Sequence, residues 1–457
     1  MAERLTAREV LTLVTDENTF TELPYPARDG GPDGPLRWQG YDASRERAAE
    51  RTGEQESVVC GTAQVEGVTA VLVSFEFGFL GGSLGERTGD RLEAAYTYAR
   101  EHRLPVVPLI ATGGSRMQEG MLALTQLQRV ARQSTLTREA GLAQIAVLRD
   151  PTTGGGWATL GAGADVILAL PGAQVGFAGS RVRPADADPA AYTAEAQVAA
   201  GSVDAVVAPE ELRHTLGRWL RLLTAPSREP APVPGPLGAT DLPATGWEAV
   251  RRTRAPERPR AESYLDAYFT HRLPISGDRC GGTDPEGMRC GFGEHEGRTV
   301  AYAAQTGTAT RPAGYRTAAR LIRLADRLGI PVLTLVDTPG AANDAEAERQ
   351  GAGAAIADVF AAVAAARTPV TTLLIGEGGS GGALALAAPG NTWATPDSYF
   401  SVIAPELAAA ILKRPEREIE ATADQLRIRP QDLAELGVVR HAAGDNLDRN
   451  RNRKHGS

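Results

Sequence analysis

The chain has 457 residues, of which 42% are apolar and 23% charged, so it can build the cores of two or more domains. Its net charge of −8 excludes the basic surface typical of nucleic-acid-binding proteins, and the sequence predicts no membrane span. The N-terminus MAERLTAREV has no apolar signal region. Cys60, Cys280 and Cys290 form no C-x-x-C pair, which argues against a zinc site or disulfide framework and favours the reducing cytoplasm.

Two segments of the first half each predict a strand that runs into a glycine turn. In AREHRLPVVPLIATGG (99–114), a helix end and a proline precede an apolar strand, which ends at Gly113 and Gly114. In AQIAVLRDPTTGGGWATL (143–160), an apolar strand ends at Gly154 and Gly155, and a helix follows. These segments predict an α/β fold.

A proline-rich stretch, APSREPAPVPGPLGATDLPATG, divides the chain into near halves. Its proline density without periodicity predicts a partly extended linker over residues 226–246. The predicted domains are therefore residues 1–225 and 247–445. The arginine-rich end, residues 446–457, predicts a disordered tail.

The second half repeats the order of elements found in the first. ADRLGIPVLTLVDTPG (325–340) matches the first segment, and VTTLLIGEGGSGGALAL (370–386) matches the second. The paired residues Pro105 and Pro331, and Gly155 and Gly381, both lie 226 positions apart. AQVGFAG (173–179) and SYFSVIA (398–404) continue the correspondence. The repeat predicts two copies of one α/β fold.

The glycine turn in the second half fits four interpretations. It spells G-x-G-x-x-G from Gly376, with Asp397 downstream, as a dinucleotide-binding turn does. It also spells G-x-S-x-G around Ser380, with Asp432 and His441 following in hydrolase order. A third interpretation is an oxyanion hole made only of backbone N–H groups, and a fourth is a packing turn without a ligand.

Comparison of the two copies favours the oxyanion hole. The first copy, DPTTGGG, is not G-x-G-x-x-G and has Gly154 where the second copy has Ser380. Both copies keep a strand, a turn of small residues, a Gly-Gly pair and a helix. Two such holes predict two developing negative charges, one for each half, whereas a hydrolase needs one.

Longer motifs carry a family resemblance in both halves. In the first half they are FEFGFLGGSLGERTG (75–89), GGSRMQEGMLAL (113–124), VLRDPTTGG (147–155) and GFAGSRV (176–182). In the second half they are GYRTAARLIRLADRLGIPVLTLVDTPGA (314–341), AEAERQGAGAAIA (345–357), IGEGGSGGALAL (375–386) and YFSVIAPE (399–406). The halves resemble the β and α subunits of bacterial acetyl-CoA carboxylase carboxyltransferase, fused in one chain. The resemblance implies two tandem crotonase-like domains of the ClpP/crotonase superfamily.

The resemblance also implies a reaction, in which CO₂ moves from carboxybiotin to the α-carbon of an acyl thioester such as acetyl-CoA or propionyl-CoA. In the first half, Gly154 and Gly155 are implied to stabilise the thioester enolate. In the second half, Gly381, Gly382 and Ala383 are implied to stabilise the biotin oxyanion. The released biotin nitrogen can act as the base, so the resemblance requires no side-chain base.

Other residues are expected to shape the substrate pockets. The candidates are the turn residues Gly113, Gly114, Gly340 and Ala341, the pair Gly81 and Gly82 in the CoA wall, Arg116, and Trp157 near the acyl group. For Arg116 the sequence leaves open a structural alternative, in which it only caps a helix and pairs with Glu119.

The chain carries no biotin-acceptor motif, so a biotin carboxyl carrier protein and a biotin carboxylase are expected as separate chains. The resemblance also implies a homodimer or a higher assembly of dimers. The four-cysteine zinc ribbon that begins the bacterial β subunit is missing, and no metal is expected. The segment YAAQTGTATRPAGYRTA is short and poor in cations where the α subunit is basic. Three alternatives therefore stay open: a malonyl-thioester decarboxylase, a non-catalytic paralogue and a Ser380 hydrolase.

Overall fold

The computed structural model describes residues 4–28 and 31–440. The chain forms two compact units: unit 1 comprises residues up to Ala225 together with Arg279–Gly281, and unit 2 comprises the remainder from Pro226 onward. The predicted tail, and the last residues of the predicted second domain, lie outside the described residues. No described helix is long and apolar enough to cross a membrane.

The proline-rich segment 226–246 belongs to unit 2 and is not a free linker. Residues 226–245 form neither a helix nor a strand, and their backbone bonds to unit 2 side chains. The Leu237 N–H donates to Tyr264 Oη at 3.1 Å, and the Ala239 N–H donates to Asp397 Oδ2 at 2.8 Å. Because proline has no N–H, such a segment can lie on a folded surface without a full set of ladder bonds.

Unit 1 is built on one mixed sheet. Its strands are β1 (Thr21–Glu22), β2 (Val58–Val65), β3 (Val68–Phe75), β4 (Val106–Thr112), β5 (Ile145–Thr153), β6 (Val166–Ala169), β7 (Val175–Gly176) and β8 (Ala205–Val206). The strand order is β1-β2-β3-β4-β5-β6-β8, with β7 beside β5, and pairing is parallel from β3 to β8. Its helices are α1 (Ala7–Val14), α2 (Tyr41–Thr52), α3 (Glu86–Glu101), α4 (Gly120–Glu139), α5 (Gly154–Gly156), α6 (Ala194–Ala199) and α7 (Pro209–Leu223).

Unit 2 repeats this plan. Its strands are β9 (His271–Pro274), β10 (Met288–His295), β11 (Arg298–Gln305), β12 (Val332–Thr338), β13 (Val370–Gly379), β14 (Thr392–Ala394) and β15 (Tyr399–Ser401). The order is β14-β13-β12-β11-β10-β9, with β15 beside β13. Its helices are α8 (Gly246–Arg254), α9 (Ala261–Tyr268), α10 (Pro312–Leu328), α11 (Ala345–Arg349), α12 (Ala352–Ala365), α13 (Ser380–Leu384), α14 (Pro405–Ile411), α15 (Ile419–Gln425) and α16 (Pro430–Glu435).

The same hairpin opens the main sheet of both units. The turn joining β2 and β3 is Glu66-Gly67, with φ values of 47° and 83°, and the turn joining β10 and β11 is Glu296-Gly297, with φ values of 50° and 74°. Two successive positive φ angles define the turn type that suits a twisted two-residue hairpin. The prediction of two copies of one α/β fold is confirmed.

The central parallel strands explain the apolar runs of the sequence. Every residue of β4 and of β12 is buried. A parallel strand covered on both faces reads as a continuous apolar run instead of an alternating one. Each unit has its own core, with Ile110 and Leu148 in unit 1 and Leu335 and Leu373 in unit 2.

The later pair of segments, AQVGFAG and SYFSVIA, is offset by 225 positions, one fewer than the other segments. The strand pairing shows this, since Thr153 pairs with Gly176 in unit 1 and Gly379 pairs with Ser401 in unit 2.

A buried ion pair holds the chain between β4 and α4. The Arg116 guanidinium donates to Glu56 Oε2 at 3.0 Å and also to Tyr41 Oη at 3.2 Å. Tyr41 donates in turn to Glu119 Oε1 at 2.5 Å. Burial alone would raise the pKa of Glu56, but the Arg116 charge outweighs it and lowers that pKa to about 2. The contribution of this carboxylate to stability is therefore present above its ordinary pKa of 4.5 and is lost as the pH falls toward 2.

We predict that Arg116→Met destabilises unit 1 by about 3–5 kcal/mol, because it leaves the Glu56 carboxylate buried without its partner. Urea unfolding of the full chain measures this loss. The control is Arg213→Met, which removes a pair with Asp16 from a side chain that is 43% exposed and should cost less than about 1 kcal/mol. Equal losses in the two variants would contradict the assignment, as would an Arg116→Met/Glu56→Leu double variant no more stable than Arg116→Met.

Candidate active site

In unit 1 the turn after β4 has most of its backbone donors engaged. The Gly113 N–H donates to the Gly81 carbonyl at 2.9 Å, and the Gly114 N–H donates to Thr112 Oγ1 at 3.0 Å. Gly114 has a φ of 109°, which residues with a side chain rarely adopt. The next N–H, that of Ser115, has no acceptor among the described residues. This turn therefore presents one unused backbone donor.

The turn after β5 meets the first turn through backbone atoms alone. Gly154 has a φ of 62°, and its N–H donates to the Phe177 carbonyl at 3.0 Å. The Gly155 N–H, in the first turn of α5, has no acceptor in the described part of the chain. A Cβ on Gly154 would lie 3.1 Å from the Gly114 Cα, and a Cβ on Gly114 would lie 3.9 Å from the Gly155 nitrogen. This contact places the unused N–H groups of Ser115 and Gly155 close together.

Both of these residues line a cavity of about 970 Å³ in unit 1. The lining also contains the predicted residues Gly81, Gly113, Gly114 and Gly154. Preorganised backbone donors in a recess that limits access of water are the arrangement that stabilises an oxyanion. Unit 1 therefore presents two unused backbone donors beside a recess, at the carboxyl ends of two neighbouring parallel strands.

Unit 2 repeats the first turn 226 positions later. Thr338 Oγ1 accepts from the Gly340 N–H at 3.2 Å, and Gly340 has a φ of 140°. The Ala341 N–H is the counterpart of the Ser115 N–H, and it likewise has no acceptor among the residues described. The sequence repeat therefore extends to the individual donors of the turn.

The second turn of unit 2 also has its counterpart in unit 1. Ser380 has a φ of 58°, close to that of Gly154 at the equivalent position, so the positive angle belongs to the fold. The N–H of Gly381 follows in the first turn of α13 and has no acceptor within the described ranges. A Cβ on Gly379 would lie 2.0 Å from the Pro339 carbonyl oxygen, so the two turns again approach at backbone distance.

A shallow depression of about 360 Å³ adjoins this turn. Ser380 and Gly381 line it, whereas Gly340 and Ala341 lie outside the lining. The remaining lining residues are Leu384, Phe400, Ser401, Val402, Leu426, Arg427, Leu433, Leu436 and Val438. The depression is therefore mostly apolar, unlike the glycine-rich cavity of unit 1.

Of the three donors predicted in the second half, only Gly381 reaches this depression. Gly382 and Ala383 are buried. The Gly382 carbonyl accepts from Tyr315 Oη at 3.0 Å, and a Cβ on Gly382 would lie 2.6 Å from the Ala341 nitrogen. Gly382 therefore packs against the preceding turn. The backbone N–H groups of a first helical turn all point toward the helix N-terminus, so the donor roles of Gly382 and Ala383 stay predictions.

Three predicted substrate contacts of unit 1 do not line the cavity. Arg116 is enclosed in the ion pair described above, with its side chain 0% exposed, so the structural alternative applies. Gly82 is buried, and a Cβ there would lie 2.1 Å from the Ala111 carbonyl oxygen. Trp157 packs against the core, and its ring lies 2.6 Å from where a Gly161 Cβ would be. These residues support the cavity from outside its lining.

Sequence reasoning missed Ser115 as a candidate site residue. The signal was present, since Ser115 lies 226 positions before Ala341, which the resemblance does pick out. The glycines of this motif are the residues typical of a turn, whereas an N–H donor can come from any residue except proline.

Among the described residues, the acidic partners that the alternative motifs require are engaged elsewhere. Asp432 Oδ2 accepts from Arg429 Nε at 2.8 Å, and His441 lies outside the described residues. Ser380 has no hydrogen-bonded base within the residues that are described. Asp397, the acidic residue of the dinucleotide interpretation, is buried under segment 226–246. Over the described ranges, no group of three His, Cys, Asp or Glu side chains could hold a metal ion.

Comparisons with known proteins agree with this geometry. Residues 35–206 match the carboxyl transferase domain, and residues 242–451 match the family described as acetyl co-enzyme A carboxylase carboxyltransferase-like. Transcarboxylase 12S, solved with methylmalonyl-coenzyme A and methylmalonic acid bound, superposes with a TM-score of 0.78 at 21% identity, over 96% of this chain and 86% of that one. The structure therefore defines a carboxyltransferase of crotonase-like fold in two copies, as predicted.

Sequence relatives make the family more specific. The chain is 39% identical to the acetyl-coenzyme A carboxylase carboxyl transferase subunits beta/alpha of Salinispora arenicola, over 95% of this chain and 81% of that protein. It is 35% identical to the probable biotin-dependent acyl-coenzyme A carboxylase beta3 subunit of Mycobacterium tuberculosis, over 87% and 82%. The chain belongs to the biotin-dependent acyl-CoA carboxylase carboxyltransferases, with its β-like and α-like halves in one polypeptide.

We predict that Gly379→Ala disrupts the site of unit 2, because its Cβ would lie 2.0 Å from a backbone oxygen that cannot rotate away. Overpacking of this kind typically costs about 1–3 kcal/mol. The readouts are the urea midpoint and the rate of carboxyl transfer, and both should fall. Gly353→Ala is the control, since a Cβ there meets nothing within 4 Å and should stabilise α12 by roughly 0.5–1 kcal/mol. A Gly379→Ala variant indistinguishable from this control would refute the backbone contact.

Proposed function

We propose that this chain is the carboxyltransferase component of a biotin-dependent acyl-CoA carboxylase. It moves CO₂ from carboxybiotin, attached to a separate carrier protein, to the α-carbon of an acyl-CoA. Acetyl-CoA and propionyl-CoA are the first substrates to test. The observation that carries this proposal is the pair of unused backbone N–H groups where two turns meet, present once in each unit.

In unit 1 we propose that the two unused backbone N–H groups bind the thioester oxygen. Removal of the α-proton makes that oxygen an enolate, and the Ser115 and Gly155 N–H groups are placed to bind the developing charge. One such donor typically contributes ~10²–10³ in rate. The 970 Å³ cavity beside them has room for a large part of a CoA thioester.

In unit 2 the residues fit a biotin ring. The depression beside Gly381 is mostly apolar, which suits the hydrocarbon and thioether part of the ring. The Ala341 and Gly381 N–H groups suit an oxygen that gains charge. When bound, carboxybiotin would supply the carboxyl group, and the biotin nitrogen that this group leaves would take the α-proton of the acyl-CoA.

We propose that the chain contributes to catalysis by positioning the reacting groups beside its backbone donors. Arginine is the only titratable residue type among the described residues that line the cavity of unit 1 or the depression of unit 2. Arginine stays protonated in proteins and cannot serve as a base. Two preorganised oxyanion holes therefore carry the proposed mechanism, and neither requires a side-chain acid or base.

The surfaces of both units support a homodimer. Met117 and Met121 beside the unit 1 cavity are 77% and 68% exposed, and Val402 and Ile411 in unit 2 are 73% and 68% exposed. Large apolar side chains exposed in groups mark surfaces that a partner covers. We propose that a second copy of the chain covers them, and that the biotin carrier and the biotin carboxylase are separate chains.

We expect sedimentation of the full chain to give the mass of a dimer or of a multiple of a dimer. Ile411→Asp should shift the protein toward the monomer, because an unpaired charge would be buried in the interface. The control is Leu242→Asp, which adds the same charge at a side chain that is 41% exposed in segment 226–246. A wild-type monomer, or the same dissociation in both variants, would refute the proposal.

We expect the purified chain to consume malonyl-CoA or methylmalonyl-CoA only when free biotin or biocytin is present, since the reverse reaction needs a carboxyl acceptor. The thioester consumed faster identifies the acyl group. Ser380→Ala should keep most of this rate, because the hydroxyl has no assigned role.

Three other outcomes would overturn the proposal. Equal consumption without biotin identifies a malonyl-thioester decarboxylase. Loss of activity in Ser380→Ala, with labelling of the wild type by a serine-directed probe, identifies a hydrolase. A chain that consumes neither thioester is a non-catalytic paralogue, or acts on another substrate.

A further inference from the structure

A threonine ends the strand that leads into the first turn of each unit. Thr112 ends β4 and Thr338 ends β12, 226 positions later, and both side chains are buried. Thr112 Oγ1 accepts the Gly114 N–H at 3.0 Å, and Thr338 Oγ1 accepts the Gly340 N–H at 3.2 Å. Neither threonine lines the cavity of unit 1 or the depression of unit 2. The two hydroxyl groups therefore contact the turns without reaching either recess.

The unused donor of the unit 1 turn belongs to a peptide group whose carbonyl is already held. That carbonyl, of Gly114, accepts the Leu84 N–H at 2.9 Å, and the Arg116 N–H donates to the Leu84 carbonyl at 2.8 Å. Leu84 and Ser115 thus form a single parallel bridge. Because a trans peptide group is planar, its C=O and N–H point in opposite directions. The Ser115 N–H therefore points away from Leu84, and Ser115 lines the cavity.

Unit 2 holds its donor peptide in the same way. The Gly340 carbonyl accepts the Thr310 N–H at 3.3 Å, and the Ala342 N–H donates to the Thr310 carbonyl at 2.9 Å. Thr310 and Ala341 form the corresponding parallel bridge. Thr310 lies 226 positions after Leu84, so the bridge is part of the repeat. The Ala341 N–H therefore points away from Thr310.

The threonine hydroxyl constrains the turn on the other side of its glycine. Gly114 lies between two peptide groups: Thr112 holds the first through its N–H, and Leu84 holds the second through its C=O. Glycine restricts its own φ and ψ least of all residues, so bonds on both sides are needed to fix the direction of the following N–H. Threonine suits this role because its β-branched side chain has few χ1 rotamers, so the strand sets the direction of the hydroxyl group.

We propose that Thr112 and Thr338 are positioning residues of the two proposed oxyanion holes. Each hydroxyl group fixes the peptide before the glycine of its turn, so that the N–H of Ser115 or Ala341 stays directed at the position where negative charge develops. The inference rests on the proposed function for the reaction that these donors serve. Because the charge develops in the transition state, loss of the hydroxyl group should lower kcat and leave KM nearly unchanged.

Two substitutions at Thr112 separate the role of its hydroxyl group from that of its methyl group. Thr112→Val keeps the shape, including a methyl group that faces Gly156, and removes the acceptor. Thr112→Ser keeps the acceptor and removes that methyl group. The assay is the biotin-dependent consumption of malonyl-CoA by the full chain. We expect Thr112→Val to lower kcat by about tenfold or more with KM within about twofold of wild type, and Thr112→Ser to keep kcat within about threefold.

Thr338→Val and Thr338→Ser should give the same pattern in unit 2, and this pair carries the test if Thr112→Val does not fold. Thr372→Val is the matched control. Thr372 is buried in β13, and its Oγ1 accepts the Ala388 N–H at 2.9 Å, so the substitution removes the same kind of bond away from the turns. It should lower the urea midpoint as the other valine variants do, but keep kcat within about twofold of wild type.

Three results would overturn the inference. The first is a wild-type kcat in Thr112→Val or Thr338→Val. The second is a serine variant as slow as its valine counterpart, which would assign the effect to packing of the methyl group. The third is an equal loss of kcat in Thr372→Val, which would assign it to general destabilisation.

The rate of the wild type with and without biotin separates this inference from the proposed function. Biotin-dependent consumption that survives in the valine variants refutes the positioning role and leaves the proposed function intact. Biotin-independent consumption that falls in Thr112→Val but not in Thr112→Ser refutes the carboxyltransferase and upholds Thr112, since decarboxylation passes through the same enolate. A wild type that consumes neither malonyl-CoA nor methylmalonyl-CoA refutes both.

Discussion

The close contact between two backbone turns is the constraint on which the rest of each unit depends. In unit 1 a Cβ on Gly154 would lie 3.1 Å from the Gly114 Cα, and in unit 2 a Cβ on Gly379 would lie 2.0 Å from a carbonyl oxygen. A side chain at either glycine would meet the facing backbone, whereas the equivalent positions in the other unit are Ser380 and Thr153. The neighbouring strands must therefore end at the same level, and the helices must begin immediately after them. The parallel pairings of β4 with β5 and of β12 with β13 provide this arrangement.

The residues that surround this contact differ between the two units. The cavity of unit 1 is large and lined by glycines and arginines, whereas the depression of unit 2 is shallow and mostly apolar. The donors are equivalent, since Ser115 corresponds to Ala341 and Gly155 to Gly381. The same pair of backbone donors is therefore set in different surroundings in the two units. Under the proposed function, the larger cavity takes the thioester and the apolar depression takes the biotin ring.

Much of this arrangement was accessible from the sequence. The apolar runs, glycine turns and constant offset predicted two α/β copies, because strand ends and turn residues are local properties of the chain. Gly154, Gly155 and Gly381 were placed at the turns for the same reason. The predictions that failed concerned orientation. Arg116 lies in the right motif but points into a buried ion pair, which is fixed by Glu56, 60 residues away in sequence.

Orientation within α13 also depends on tertiary contacts, and the donor roles of Gly382 and Ala383 stay predictions. Gly382 follows Gly381 directly, yet it faces Tyr315 and the preceding turn. The proline-rich segment was predicted as a linker, but it belongs to unit 2. Its packing depends on Tyr264 and Asp397, which lie 27 and 158 residues from the backbone groups that they bind. The local sequence pattern therefore identified the two turns of each unit. Tertiary contacts determine which residues of each turn line a recess and which are buried.

A site made of main-chain donors has a consequence for how such enzymes are studied and how they change. A scan that truncates side chains to alanine would pass over Ser115 and Ala341, because the reactive N–H survives every such replacement. A search for general acids and bases would find none among the described residues that line these two recesses. Loss-of-function variants should instead cluster where bulk is added at the glycines that separate the turns. Under the proposed mechanism, the side chains that line the two recesses take no part in the reaction. They can therefore change to suit a new acyl group.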